Sequence, residues 1–89
     1  MTLYLTERHL PDATVDQLRA IIQAEIISSE RSTAAGKPVQ YLGSIAIPGD
    51  GQMFCRFAAE DPTHVRDVNE AADLPFTRII EAVELGIRN

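Results

Sequence analysis

The residues best suited to chemistry stand at the end of the first apolar run, in the stretch YLTERHLP. There Glu7 and His9 are two residues apart, which on a β-strand puts both side chains on one face, with their Cα atoms roughly 6.5–7 Å apart. A carboxylate and a neutral imidazole so placed can bind one nickel, zinc or iron ion. Cys55, the single cysteine, is the natural third ligand if its strand lies beside the first. Glu7, His9 and Cys55 are therefore candidate ligands of a divalent metal.

Each of these residues also has a structural interpretation, which is favoured over the metal site. Glu7 can form a cross-strand ion pair with Arg56 or Arg78, an interaction that contributes about 0.2–1 kcal/mol. His9 can mark the solvated end of its strand, and Cys55 can be a small core residue. The sequence leaves open which face Cys55 occupies, because both faces of its strand are partly apolar.

Other catalytic and cofactor motifs are absent from the sequence. It has no glycine-rich phosphate loop, dinucleotide fingerprint, paired-cysteine zinc motif or nucleophile elbow, so no organic cofactor is indicated. Its two histidines, His9 and His64, limit histidine-based metal sites to mixed ligands or to ligands from two subunits.

An enzymatic alternative uses aromatic side chains that are otherwise expected in the core. A pocket lined by Tyr4, Tyr41 or Phe57 would hold a small hydrophobic molecule between sheet and helices. Glu7 and His9 would then be a general acid–base pair. The alternative is thus a cofactor-free enzyme of the dimeric α/β-barrel kind, of the monooxygenase, isomerase or cyclase type, and only analogy of fold supports it.

The elements that position these residues begin with a strand and a helix. Thr2–His9 is rich in β-branched, aromatic and leucine residues, which predicts a strand that Pro11 ends. Thr14 and Gln17 have the spacing of a capping box, which predicts a helix start. The helix is expected to reach about Ser32. Its expected core-facing residues are Val15, Leu18, Ile21, Ile22 and Ile26.

The rest of the chain completes the predicted topology. VQYLGSIAI and QMFCRFAA read as two strands joined by the turn PGDG. Asp61 as N-cap and Pro62 at the first helical position predict a second, short helix that ends near Asp73. FTRIIEAVELGI fits a helix or a strand. A final strand completes a ferredoxin-like β-α-β-β-α-β fold of the α+β class, with a four-stranded antiparallel sheet and both helices on one face. A final helix would leave an exposed sheet edge, so the strand is chosen.

Size and charge narrow the possible partners. Residues 1–89 make one domain with a modest core and no disulfide framework, so burial of a sheet face in a homodimer is expected. The net charge of −5 argues against nucleic acid and anionic membranes. The N-terminal segment lacks a basic leader and a continuous apolar run, and together with the unpaired cysteine this predicts a cytoplasmic location.

Four segments resemble a known family: YLTERHLP, CRFAAED, VRDVNEAADLP and the Arg78–Ile79 that follows them. They are similar, in order and spacing from Tyr4 to about Val83, to a family of small bacterial proteins of unknown function that includes an actinobacterial nickel-binding protein. The resemblance implies a ferredoxin-like fold whose last segment is a strand. It also implies a dimer formed through the open face of the sheet.

The resemblance also bears on the candidate ligands. Glu7 and Cys55 match the family pattern, whereas family members often have an acidic residue at the position of His9. Many of them have histidine at the positions of Gly43 and Val68. The leading hypothesis is a non-catalytic binding protein for nickel or another divalent metal, with Glu7 and His9 as anchors and Cys55 as third ligand. A pure interaction module that binds a partner protein through the open sheet face is a further alternative.

Overall fold

The structure is a computed structural model that describes residues 1–87. Strands and helices follow one another in the order β-α-β-β-α-β, which is the predicted ferredoxin-like α+β fold. The elements are β1 (Thr2–His9), α1 (Val15–Ala34), β2 (Val39–Ile47), β3 (Gln52–Ala59), α2 (Pro62–Ala71) and β4 (Arg78–Ala82).

The sheet has the strand order β2-β3-β1-β4, and all neighbouring strands are antiparallel. β4 pairs with β1 from Leu3 opposite Ala82 to Glu7 opposite Arg78. The prediction that the last segment is a strand is therefore confirmed. Without β4, the β1 groups that now bond to it would be unpaired at a sheet edge.

Both helices begin at the predicted caps. The Thr14 hydroxyl accepts a hydrogen bond from the backbone amide of Gln17. The side-chain oxygen of Gln17 accepts one from the backbone amide of Thr14. The Asp61 carboxylate accepts hydrogen bonds from the backbone amides of Thr63 and His64 at the start of α2. α1 ends at Ala34, slightly later than predicted, and α2 ends at Ala71, slightly earlier. Within residues 1–87, no helix is long and apolar enough to cross a membrane.

The core lies between the helices and one face of the sheet, and α1 contributes to it differently from the prediction. Val15 is 62% exposed, so its expected place in the core is wrong. The fully buried residues of α1 are polar: Glu25, Ser28 and Ser29. Leu18 and its apolar neighbours pack only at the margin of the core. The buried apolar residues are Tyr4, Val39, Met53, Cys55, Phe57, Ala59, Val65 and Val68.

The other face of the sheet is left open by the helices. Arg8 on β1 contacts both Glu25 of α1 and Asn69 of α2, which places both helices on the face that Arg8 shares. Alternation along the strands then assigns the opposite set of side chains to the other side. We call that side the open face. Its apolar residues include Leu3, Leu5, Ile45, Ile47, Phe54, Ala58, Ile80 and Ala82.

Candidate functional site

Glu7 and His9 both lie on the open face, at the end of β1. The Glu7 carboxylate accepts hydrogen bonds from Arg78 Nε at 3.3 Å and Nη2 at 3.2 Å. Arg78 stands directly opposite Glu7 on β4, and its side chain is largely exposed. His9 is exposed at the strand end. The cross-strand ion pair considered for Glu7 is therefore present, with Arg78 as its partner.

Cys55 lies on the helix-covered face. It stands opposite Thr6 on β1, and both residues are fully buried. The Cys55 sulfur accepts a hydrogen bond from Arg8 Nη1 at 3.3 Å and one from Ser44 Oγ at 3.1 Å. The sheet thus separates Cys55 from Glu7 and His9. Within one chain Cys55 cannot share an ion with them, and its structural interpretation as a small core residue fits this position.

The donors of one chain fit only part of a metal site. Among residues 1–87, no group of three or more His, Cys, Asp or Glu side chains is placed to hold an ion. Glu7 and His9 supply one oxygen and one nitrogen ligand, which is half of a tetrahedral set. Any further ligands have to come from water or from a second subunit.

The aromatic residues predicted to line a pocket have different positions. Tyr4 and Phe57 are buried core residues, so they belong to the packed interior. Tyr41 is half-buried, packs edge-on against Phe57 with ring centroids 5.6 Å apart, and lines a cleft between α1 and β2. Because Glu7 and His9 lie on the open face, the structure does not bring the proposed acid–base pair to these aromatic rings.

The most extensive polar arrangement is centred on Arg8, which is 2% exposed. Its Nη2 forms an ion pair with Glu25 Oε1 at 2.7 Å and donates to Asn69 Oδ1. Its Nη1 donates to Thr6 Oγ1 at 3.0 Å and to the Cys55 sulfur. One buried guanidinium thereby joins β1 and β3 to both helices.

Burial dominates the electrostatics of this network. Desolvation raises the pKa of Glu25 to about 7, although the charge and hydrogen bond of Arg8 act in the opposite direction. Glu25 Oε2 has no hydrogen-bond partner in the described part of the chain. Burial also raises the pKa of the Cys55 thiol, so Cys55 stays protonated near neutral pH. A protonated, buried thiol is a poor nucleophile and a poor metal ligand.

Sequence reasoning missed Arg8, Glu25 and Asn69. One signal for them was present, because Glu25 lies four residues after Ile21 and three after Ile22, at helical spacing from two of the expected core-facing residues. A carboxylate in a stripe that faces the core requires a buried cation or donor. That requirement predicts a partner on the sheet without identifying it.

The raised pKa of Glu25 predicts an unusual dependence of stability on pH. The carboxyl titrates near 4.5 when unfolded and near 7 when folded, so the folded protein holds a proton that the unfolded chain has lost. The associated stability is present below the unfolded pKa and is lost as the pH rises through 7. At about 1.4 kcal/mol per pKa unit, the loss can reach roughly 3 kcal/mol. Urea unfolding at pH 5 and pH 8 measures it, and Glu25→Gln is expected to remove the slope; the same slope in the variant would contradict this origin.

The fold and the open face define a ferredoxin-like α+β protein whose candidate ligands lie on an uncovered sheet. The chain belongs to the family described as nickel responsive protein SCO4226-like, whose sequence profile matches residues 4–82. No curated protein matches the sequence.

A solved structure has the same fold as this chain. The crystal structure of SCO4226 from Streptomyces coelicolor A3(2) is similar with a TM-score of 0.80, and the alignment covers 94% of this chain and 99% of that one. The two sequences are 20% identical, so this likeness shows the fold alone.

Proposed function

We propose that this protein is a non-catalytic binding protein for nickel or another divalent metal and that it acts as a homodimer. Glu7 and His9 are the proposed ligands. The observation that carries the proposal is their placement on one accessible face of β1, two residues apart, where carboxylate and imidazole can approach a common ion. Membership in a nickel responsive family supports nickel as the first metal to test.

The ion pair between Glu7 and Arg78 is compatible with metal binding. The Glu7 side chain is 15% exposed, but its partner Arg78 is 64% exposed, and ion pairs that solvent can reach contribute only about 0–1 kcal/mol. A divalent ion that binds the carboxylate therefore displaces a weak competitor. Arg78 also places a positive charge beside the proposed ligand, so its removal is expected to strengthen metal binding.

The homodimer is supported by the apolar character of the open face. Large apolar side chains on this face are solvent-accessible, and Val83, Leu85 and Ile87 beyond β4 are also exposed. A second copy of the chain is the simplest partner because the same apolar surface is available on it. Two chains also bring two pairs of Glu7 and His9, and these four donors equal the number of ligands in a tetrahedral site, whereas one chain supplies two of them.

The metal proposal predicts opposite effects of variants on the same face. In nickel titrations by calorimetry, Glu7→Ala with His9→Ala is expected to weaken binding more than about 100-fold, since even second-shell partners are worth 10–100-fold. Arg78→Gln is expected to strengthen binding roughly 1.5-fold to 5-fold, as the loss of an exposed competing ion pair allows.

His64→Gln is the matched control for that experiment. It removes the other imidazole of the chain, which lies 3.6 Å from the Asp61 carboxylate on α2. Nickel affinity is expected to be unchanged in this variant. An equal loss of nickel affinity in His64→Gln and in the Glu7→Ala, His9→Ala double variant would contradict the assignment of Glu7 and His9. Undiminished nickel binding in the double variant would contradict it as well.

A further inference from the structure

The segment that follows β4 bends onto the open side of the sheet. Glu84 in this segment forms an ion pair with Arg56, which lies on the open face of β3 because it stands opposite Leu5. A straight continuation of β4 would leave Glu84 about 13 Å beyond Arg56 along the strand direction and two strands away, too far for the side chains to meet. The chain after Ala82 therefore turns back over the open face. We call residues 83–87 the arm.

The apolar side chains of the arm do not pack on their own chain. Val83 is 76% exposed, Leu85 is 85% exposed and Ile87 is 64% exposed. Glu84, which lies between the first two, is the residue that holds the arm to the sheet. The arm thus contacts its own sheet through a carboxylate and presents its apolar side chains to solvent. An apolar surface of this kind, continuous with the apolar open face, is typical of a contact with another protein.

The charges on this side of the molecule favour a second copy of the chain as the partner. The open face and the arm carry two ion pairs, Glu7 with Arg78 and Glu84 with Arg56, so their charges cancel. The net charge of −5 therefore belongs to the rest of the chain. Two copies can approach each other through this neutral side without net repulsion, whereas their remaining surfaces are acidic and repel each other.

We infer that the arm is part of the homodimer interface and packs its apolar side chains against β2 of a second copy of the chain. This inference rests on the proposed homodimer through the open face. A two-fold axis parallel to the strands places β4 and the arm of each subunit over β2 of the other. An axis perpendicular to the strands would set arm against arm.

The open face of β2 offers the apolar surface that the arm requires. Ile45 is 59% exposed and Ile47 is 38% exposed in the single chain, and both lie on the open face. Val83 and Leu85 of one subunit cover these isoleucines of the partner subunit, and the two-fold axis repeats the contact. The ion pair between Glu84 and Arg56 fixes the arm so that its apolar side chains point toward the partner.

Removal of the apolar side chains of the arm tests the inference. Val83→Ser combined with Leu85→Ser is expected to raise the dissociation constant of the dimer at least about 100-fold, because both side chains are buried twice in the dimer. Sedimentation velocity over a concentration series measures it. The circular dichroism spectrum is expected to be unchanged, since both residues are exposed in the single chain. Val15→Ser with Ile27→Ser is the matched control, because it changes exposed apolar residues of α1, and the dimer is expected to persist in it.

Cysteine pairs test where the arm lies on the partner. When chains with Leu85→Cys are mixed with chains with Ile45→Cys and oxidised gently, a disulfide-linked heterodimer is expected, because disulfides form only between neighbouring side chains. A mixture of Leu85→Cys and Ile27→Cys chains is the control and is expected to give none. Equal cross-linking in both mixtures, or none in the first, would overturn the placement of the arm on β2.

Failure of the arm inference and failure of the proposed homodimer give different results. If the unmodified protein is a dimer and the serine variant of the arm dimerises equally well, the arm inference is overturned and the homodimer through the open face stands. If the unmodified protein is monomeric at all concentrations, both are overturned.

Discussion

At pH 8, where Glu25 is ionised, replacement of Arg8 by methionine is expected to lower the free energy of unfolding by about 3–5 kcal/mol, the usual loss when one member of a buried ion pair is removed. The guanidinium is the shared donor for Glu25, Asn69 and Thr6, and all three are fully buried. A domain of this length has a total stability of roughly 4–13 kcal/mol, so the variant approaches the unfolding threshold. Urea denaturation followed by circular dichroism measures the change.

Two further variants separate the buried pair from arginine replacement in general. Arg19→Met changes an exposed arginine on α1, away from the open face, and it is expected to cost less than about 0.5 kcal/mol. Arg8→Met combined with Glu25→Leu is expected to recover most of the lost stability, because a buried pair can be replaced by apolar side chains. A loss for Arg8→Met no larger than that for Arg19→Met would contradict the role of Arg8 as the centre of the network.

The second large effect is expected at the open face, where Ile45→Glu should separate the proposed homodimer into monomers. Ile45 is 59% exposed in the single chain and lies on β2 of that face. In a two-fold interface the substitution buries a carboxylate twice, and each unpaired polar group costs about 1–3 kcal/mol. The dissociation constant is then expected to rise about 30-fold or more. Sedimentation velocity over a concentration series measures it.

Ile27→Glu is the matched control for the interface. Ile27 is a 47% exposed isoleucine on α1, on the other layer of the molecule, so the same change of side chain is made away from the open face. The dimer is expected to persist in this variant. Equal dissociation in both variants would contradict the open face as the interface, as would a monomeric unmodified protein at all concentrations.

Much of the fold was predictable because local signals agreed with one another. β1, β2 and β3 have the predicted bounds, since alternating apolar residues and the turn at Pro48–Gly51 fix where each strand begins and ends. The last segment was ambiguous by periodicity, which fitted a helix slightly better. The segment forms a strand because β4 pairs with β1 and satisfies the backbone groups along an edge that would otherwise be exposed.

The site was less predictable because its decisive contacts are distant in sequence. The shared face of Glu7 and His9 follows from the period of a strand. The face of Cys55 does not, since its strand is partly apolar on both sides. Arg8 looks like a surface residue in the sequence, and only the fold brings it to Glu25 and Asn69, which lie 17 and 61 residues away. The metal and the homodimer stay predictions.

Native mass spectrometry of the untagged protein, before and after addition of equimolar nickel, tests whether a homodimer binds the metal through Glu7 and His9. The expected result is a dimer that retains nickel, together with a dimer of the Glu7→Ala and His9→Ala double variant that retains none. One ion per dimer would indicate a shared site, and two ions would indicate that water completes each pair of ligands. A protein that takes up no nickel, or a double variant that takes up as much as the unmodified chain, would contradict nickel binding by Glu7 and His9.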